Sequence, residues 1–266
     1  MRTRAGRGLT AAVLGAVFSV MPVLGMAAMA EAAPVIMIGE AAEGGNGMQD
    51  GRASNSLGID VKRLPIPAET RQLVAVVGTG MDSSLVNVAY LKTAEDGTWV
   101  EQFCVQGFCG YNGMAEDKRE GDRRTPTGSY GFACAFGILP DPGSILPYKH
   151  LDSGDFWVDD SNSRYYNQMV NTSQVVPDWN SAEELARIAP AYHYVLALDY
   201  NMAERVPGKG SAIFLHGMDT RKTWTEGCIA IPEEQVKQLV QELEPAAQIV
   251  ILPAPQGADA GREGAE

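Results

Sequence analysis

Apolar residues gather into short runs of strand length at residues 73–77, 85–91, 130–136, 194–198, 212–215 and 249–252, several of them closed by Gly or Asp-Gly. Runs of four to seven bounded by turn residues predict a domain dominated by sheet. Two segments read as helix instead. After Pro232, Glu233 and Glu234, the residues Val236, Leu239, Val240 and Leu243 fall at i, i+3, i+4 and i+7, which gives a helix with one buried face. Ser181-Ala182-Glu183-Glu184 has the form of a capping box and predicts a short helix ending by Pro190. The fold class is therefore mainly β with a few helices, one of them short and near the C-terminus, and no internal repeat is visible.

The flanks have a different pattern. From Glu31 to Arg71 the chain is rich in Gly, Ala, Ser, Asn and Pro with little periodicity, which predicts a flexible linker over 31–71 and a folded domain over 72–253. Residues 254–266, rich in Gly, Ala and Glu, predict a disordered tail. At the start, Arg2, Arg4 and Arg7 precede an apolar run from Gly8 to Met29, and Ala28-Met29-Ala30 supplies a small-x-small cleavage pattern. Residues 1–30 thus read as a signal peptide that exports the protein to the cell envelope, cell wall or periplasm. The run is also long enough to serve as an uncleaved N-terminal membrane anchor.

Charge narrows the partners. The 266 residues carry a formal charge of −12, and removing residues 1–30 leaves 18 basic against 33 acidic groups, so a nucleic-acid partner is excluded. Four cysteines, Cys104, Cys109, Cys134 and Cys228, could form disulfides in an oxidising compartment. If Cys228 is a reactive thiol, at most one bridge remains, and Cys104 with Cys109 is the choice, with residues 105–108 as a hairpin turn. The CxxC pairs of structural zinc sites are absent from the sequence. Asn171-Thr172-Ser173 is a sequon by form only.

The candidate chemistry lies near the C-terminus. Gly210-Ser211-Ala212-Ile213-Phe214-Leu215-His216-Gly217 reads as a buried strand that presents a histidine at its end, with a glycine allowing the chain to turn. A polar loop leads from Met218 to Trp224, and Thr225-Glu226-Gly227-Cys228-Ile229-Ala230-Ile231 then places a cysteine between a glycine and a second apolar strand. The spacing suits two neighbouring strands that deliver both side chains to one rim. An adjacent imidazole can convert a thiol of ordinary pKa, near 8.5, to thiolate at neutral pH. The N–H groups around Gly227 and Cys228 could face a developing oxyanion. Taken singly, Cys228 also reads as a buried small hydrophobe and His216 as a hydrogen-bonded core histidine.

Glu120-Gly121-Asp122-Arg123-Arg124-Thr125-Pro126-Thr127-Gly128-Ser129-Tyr130 adds a Thr-Pro-Thr-Gly strand entry upstream. In order and spacing, that entry, the His-Gly strand end and the Thr-Glu-Gly-Cys turn resemble the L,D-transpeptidase catalytic domain. The resemblance extends from about Gln72 to Leu252 and takes in Gly110-Tyr111-Asn112-Gly113, Trp157-Val158-Asp159-Asp160 and Ser163-Arg164-Tyr165-Tyr166-Asn167. It implies a β-sandwich or barrel with Cys228 as nucleophile, His216 as base and the Gly217 carbonyl orienting the imidazole. It further implies Thr225 and Gly227 in the turn that supplies the oxyanion donors, no metal or organic cofactor, peptidoglycan stem peptides as donor and acceptor, and inhibition by carbapenem-type β-lactams. Tyr166 and Asn167 suit a peptide cleft or packing equally. His193 reads as structural or surface, and His150 is assigned nothing. Many members carry an arginine two residues after the cysteine, where this chain has Ala230; Glu226 stands where some place a second histidine.

Three activities fit these residues: a transpeptidase forming 3–3 cross-links through a thioester, a carboxypeptidase or cross-link hydrolase using the same pair with water, and a wall-binding module with a structural cysteine.

Overall fold

The computed structural model describes residues 55–254. The signal-peptide reading of 1–30, the first part of the linker and nearly all of the tail lie outside the described residues. No helix among the described residues is long and apolar enough to cross a membrane.

Strands β1 (Gln72–Gly78), β2 (Leu85–Thr93) and β3 (Trp99–Phe108) form an antiparallel meander. Two short strands, β4 (Met114–Ala115) and β5 (Thr125–Pro126), pair with each other ahead of β6 (Gly128–Gly137) and β7 (Tyr148–His150). A separate small sheet has the order β10-β8-β9, from β8 (Asp155–Val158), β9 (Gln168–Asn171) and β10 (Ala182–Glu184). The chain then adds β11 (Val195–Leu198), β12 (Phe214–Gly217) and β13 (Ile229–Ile231), the helix α1 (Glu233–Glu242) and β14 (Gln248–Leu252). The main sheet runs β11-β12-β13-β3-β2-β1-β14-β6-β7, and a further pairing of β11 with β6 closes it into a barrel with β7 outside the ring.

Burial explains the composition of the strands. Every residue of β1 is buried. Val74 and Val76 belong to the principal core with Val236, Leu239, Val240 and Leu243, so the helix periodicity read from sequence is the face that packs on the sheet. Leu73, Ala75 and Val77 point the other way, against Leu57, Ile59, Val61 and Leu64. A strand covered on both faces needs a continuous apolar run, and 73–77 is one. Each fully buried valine, leucine or isoleucine side chain here contributes about 1.5–3 kcal/mol.

Three expectations are corrected. Residues 55–71 are not linker: Leu57, Ile59, Val61 and Leu64 are buried on β1, and the Asp60 carboxylate caps a 3-10 turn at Val61–Arg63, so the domain begins before Gln72. Leu57, Ile59 and Val61 alternate along the sequence, yet the segment runs into a 3-10 turn instead of a strand, so the alternation marks a buried face without marking a regular element. The predicted helix after Ser181 is replaced by β10, which pairs antiparallel with β8, and by a 3-10 turn at Leu185–Arg187. Nine residues before a proline make a marginal helix, whereas the ladder to β8 satisfies the backbone and Leu185 is fully buried. Finally, residues 105–108 lie inside β3, not in a turn. All four cysteines are free thiols, and an extended segment from Cys104 to Cys109 spans roughly 16 Å at 3.3 Å per residue, far beyond the reach of a disulfide.

The loop after β3 is tightly folded back. Gly113 sits at φ +78°, and a Cβ there would meet the Met81 carbonyl oxygen at 2.0 Å and the Asp82 backbone at 2.7 Å. Its N–H donates to Gly110 O at 2.7 Å and its carbonyl accepts from Thr125 N–H at 2.9 Å. Gly113→Val is therefore expected to lower stability by about 2–4 kcal/mol, read as a lower urea midpoint with unchanged slope. An unchanged midpoint would remove this account of the loop.

Candidate active site

Parallel pairing of β12 with β13 sets the geometry. Leu215 is in register with Ile229 and His216 with Ala230. Side chains alternate across a strand, so His216 and Ala230 share one face, and the residues one pleat earlier, Phe214 and Cys228, share it too. The imidazole and the thiol thus come to the same side, diagonally placed, and both line one cavity of about 280 Å³ together with Glu183, Tyr192, Lys222, Trp224 and Glu226. Ala230 opposes His216 with only a methyl, which leaves that space open.

The Gly217 carbonyl oxygen lies 2.8 Å from His216 Nδ1. A carbonyl only accepts, so Nδ1 carries the hydrogen and the Nε2 lone pair is available as a base. Burial pushes His216 down to about 4 against the opposing pull of that hydrogen bond, with the Lys222 ammonium adding to the depression. The ring is neutral at physiological pH. Tyr192 packs edge-on against it, centroids 5.3 Å apart.

Cys228 is 7% exposed. Its thiol donates to Ala212 O at 3.2 Å and accepts from Phe214 N–H at 3.3 Å. Burial first, then the Glu183 carboxylate, hold its pKa well above the usual thiol value, against the Phe214 N–H and the Lys118 ammonium. This corrects the expectation of a resting thiolate: in the unliganded site both partners are neutral, because neither ion is solvated in this aromatic surround of Phe136, Trp157, Tyr192 and Phe214. The thiol must lose its proton as substrate binds, and the neutral imidazole can accept it.

The Gly-Cys turn is stapled from two sides. Thr225 Oγ1 donates to Cys228 O at 2.6 Å and accepts Gly227 N–H at 3.1 Å. The Gly227 N–H is thereby occupied by a hydroxyl inside the turn, which differs from the oxyanion role expected of it. Gly227 sits at φ +146°, where a Cβ would meet Arg124 O at 3.1 Å and the Ile213 side chain at 3.3 Å. Thr125, in the Thr-Pro-Thr-Gly entry, donates to Gly227 O at 2.7 Å and accepts Gly110 N–H at 2.9 Å. The upstream motif therefore holds the turn in place, a role that its spacing in the sequence did not disclose. Gly217 is not a turn residue: it lies within β12, and its N–H donates to Ala191 O at 3.0 Å.

Tyr166 and Asn167 do not line the cavity, which corrects the expectation of a substrate contact. They are 3% and 1% exposed. The Tyr166 hydroxyl donates to Glu120 Oε2 and accepts Gly210 N–H. Asn167 Oδ1 accepts from Trp157 Nε1 at 3.0 Å and from Ala212 N–H at 3.1 Å. Their polar atoms are consumed in fixing residues 210–212, whose last carbonyl receives the Cys228 thiol. His193 pairs with Glu233 at 2.8 Å, and His150 contacts Ile138 O. Glu226 pairs with Arg123 at 2.8 Å on the rim, where Trp224 and Tyr111 meet edge to face at 5.2 Å. Among the described residues no group of three or more His, Cys, Asp and Glu is placed to hold a metal.

A closed sheet in which one strand ends on a histidine and its parallel neighbour starts just after a cysteine defines a class of thiol site supported by backbone, without a carboxylate on the imidazole. Residues 82–251 match the family described as YkuD, the L,D-transpeptidase catalytic domain, and the chain belongs to that family. No curated protein matches the chain. Among solved structures the chain is similar to the Ldtfm-avibactam carbamoyl enzyme, at 11% identity and a TM-score of 0.32. That likeness covers 70% of this chain, and the chain spans about half, 49%, of the solved one.

Proposed function

We propose that the protein is an exported L,D-transpeptidase that forms 3–3 cross-links between peptidoglycan stem peptides through a thioester on Cys228. The observation that carries this reading is the shared cavity, which holds a buried thiol and a neutral imidazole with its Nε2 lone pair available. In the reaction, His216 takes the Cys228 proton as sulfur attacks the carbonyl of the third, L-centred residue of a donor tetrapeptide. The tetrahedral adduct collapses, the terminal D-residue leaves with the proton from His216, and a thioester remains. The side-chain amine of an acceptor stem then attacks that carbonyl, and the proton it sheds returns through His216 to sulfur. Export rests on the charged and apolar N-terminal segment.

Muropeptide analysis after incubation with tetrapeptide fragments tests this. New 3–3 dimers are expected, with a carbapenem adduct on the intact protein by mass spectrometry. Tripeptides without dimers would replace transfer by hydrolysis at the same pair. Neither dimers, tripeptides nor an adduct would leave a wall-binding module.

A further inference from the structure

Glu183 is a carboxylate in the cavity wall that the steps above leave without a role. It stands on β10, beside Trp157 of β8, and lines the same cavity as Cys228 and His216. Its Oε2 accepts from the Tyr192 hydroxyl at 2.6 Å, and the Tyr192 ring in turn packs on His216. The other acids of the lining have cations: Asp219 pairs with Arg221 at 2.8 Å and Glu226 with Arg123 at 2.8 Å. The Lys222 ammonium lies over the Trp224 ring, 5.2 Å from its centroid. Among the described residues no Lys, Arg or His pairs with Glu183. Burial, reinforced by Asp159, Glu120 and Glu226 and opposed by the Tyr192 hydrogen bond, pushes it up to about 7. A carboxylate in such surroundings is costly unless a cation joins it, so its retention points to a cationic ligand.

We propose that Glu183 binds the ammonium group of the incoming acceptor and takes one proton from it, so that a neutral amine reaches the thioester on Cys228. The proposal rests on the transfer reading given above and assigns its second half. An amine at neutral pH is mostly protonated and has no lone pair with which to attack. The ammonium gives one proton to the Glu183 carboxylate; the freed nitrogen bonds to the acyl carbon while the carbon–sulfur bond breaks. The remaining extra proton on nitrogen passes to His216 and then to the Cys228 sulfur. Glu183 releases its proton to water, and the products are an amide and the original thiol. Position on the cavity wall, proximity to the thiol and the lack of a cation make Glu183 a catalytic residue for aminolysis; toward the thiol its charge acts only to disfavour the thiolate.

The test uses the full chain, a tetrapeptide donor and Nα-acetyl-lysinamide as acceptor, and measures the ratio of amide to hydrolysed product. Glu183→Gln, which removes a charge that disfavours the Cys228 thiolate, is expected to form the adduct no more slowly than the wild type and to lose amide relative to hydrolysis by roughly tenfold or more. An unchanged ratio in a wild type that makes amide overturns the role of Glu183 alone. A wild type that forms the adduct but makes no amide removes the transfer reading, and this role with it. Should Glu183→Gln fail to fold, the wild type decides: Nα-acetyl-argininamide, a cation that does not attack, is expected to suppress amide formation and spare hydrolysis. Equal suppression of both, or of neither, overturns the proposal.

Discussion

Cys228→Ala is expected to abolish both product formation and the carbapenem adduct, with turnover falling by roughly 10⁴-fold or more while the fold is retained. Three other cysteines remain in that variant, so the adduct experiment also tests why one thiol is singled out. Burial pushes Cys104, Cys109 and Cys134 each up to about 11, and at neutral pH such thiols are almost wholly protonated and inert. The resting Cys228 thiol is no more acidic than they are. It differs in sharing a strand face and a cavity with an imidazole that can accept its proton. A residual adduct on the alanine variant, mapped to another cysteine, would show that the cavity shared with the imidazole is not what selects Cys228.

Removing the base has the second-largest effect. His216→Ala is expected to slow thioester formation by roughly 10²–10⁴-fold, with the donor's binding little changed. The pH dependence carries the sharper signature. His216 acts as neutral imidazole, and its pKa lies at about 4 rather than the ordinary 6.5. Acylation should therefore rise with pH through about 4 and be insensitive to pH near 6.5. An acidic limb centred near 6.5 would mean that the imidazole is solvated and that burial does not govern it. The same shift has a consequence for folding. The unfolded chain protonates this histidine at a higher pH than the native state does, so its contribution is fully present above about 6.5 and lost as pH falls through 4, on the order of 3 kcal/mol.

How much of this could be read in advance differs by element. The helix at Glu233–Glu242 was legible because Val236, Leu239 and Val240 repeat at the helical period and all are fully buried. The helix expected after Ser181 fails because its signal was local, four residues of capping chemistry, while the competing ladder to β8 joins residues some 25 positions apart. Strand β3 went unread because most of its residues are only half-buried or exposed, and Glu101, Gln102 and Gln106 break up its apolar residues, so no long apolar run marks it. That omission produced the mistaken turn at 105–108 and the mistaken disulfide.

The site divides along the same line. Cys228, His216 and Gly217 were legible because a strand ending in His-Gly and another beginning after Gly-Cys carry their chemistry in contiguous residues. Glu183, Tyr192 and Thr125 were not: Tyr192 and Thr125 act on His216 and Gly227, more than twenty positions away, and the Glu183–Tyr192 contact joins a strand to a loop with no local pattern. Tyr166 and Asn167 show the converse, side chains suited to a cleft that tertiary packing turns inward to hold Gly210 and Ala212. By itself, then, the amino-acid order determined the β-rich character, the C-terminal helix, the family and the candidate Cys-His pair, because these depend on periodicity and short motifs. Only the tertiary structure decided that the pair rests neutral and that a carboxylate without a cation faces it, because burial and long-range pairing set those energies.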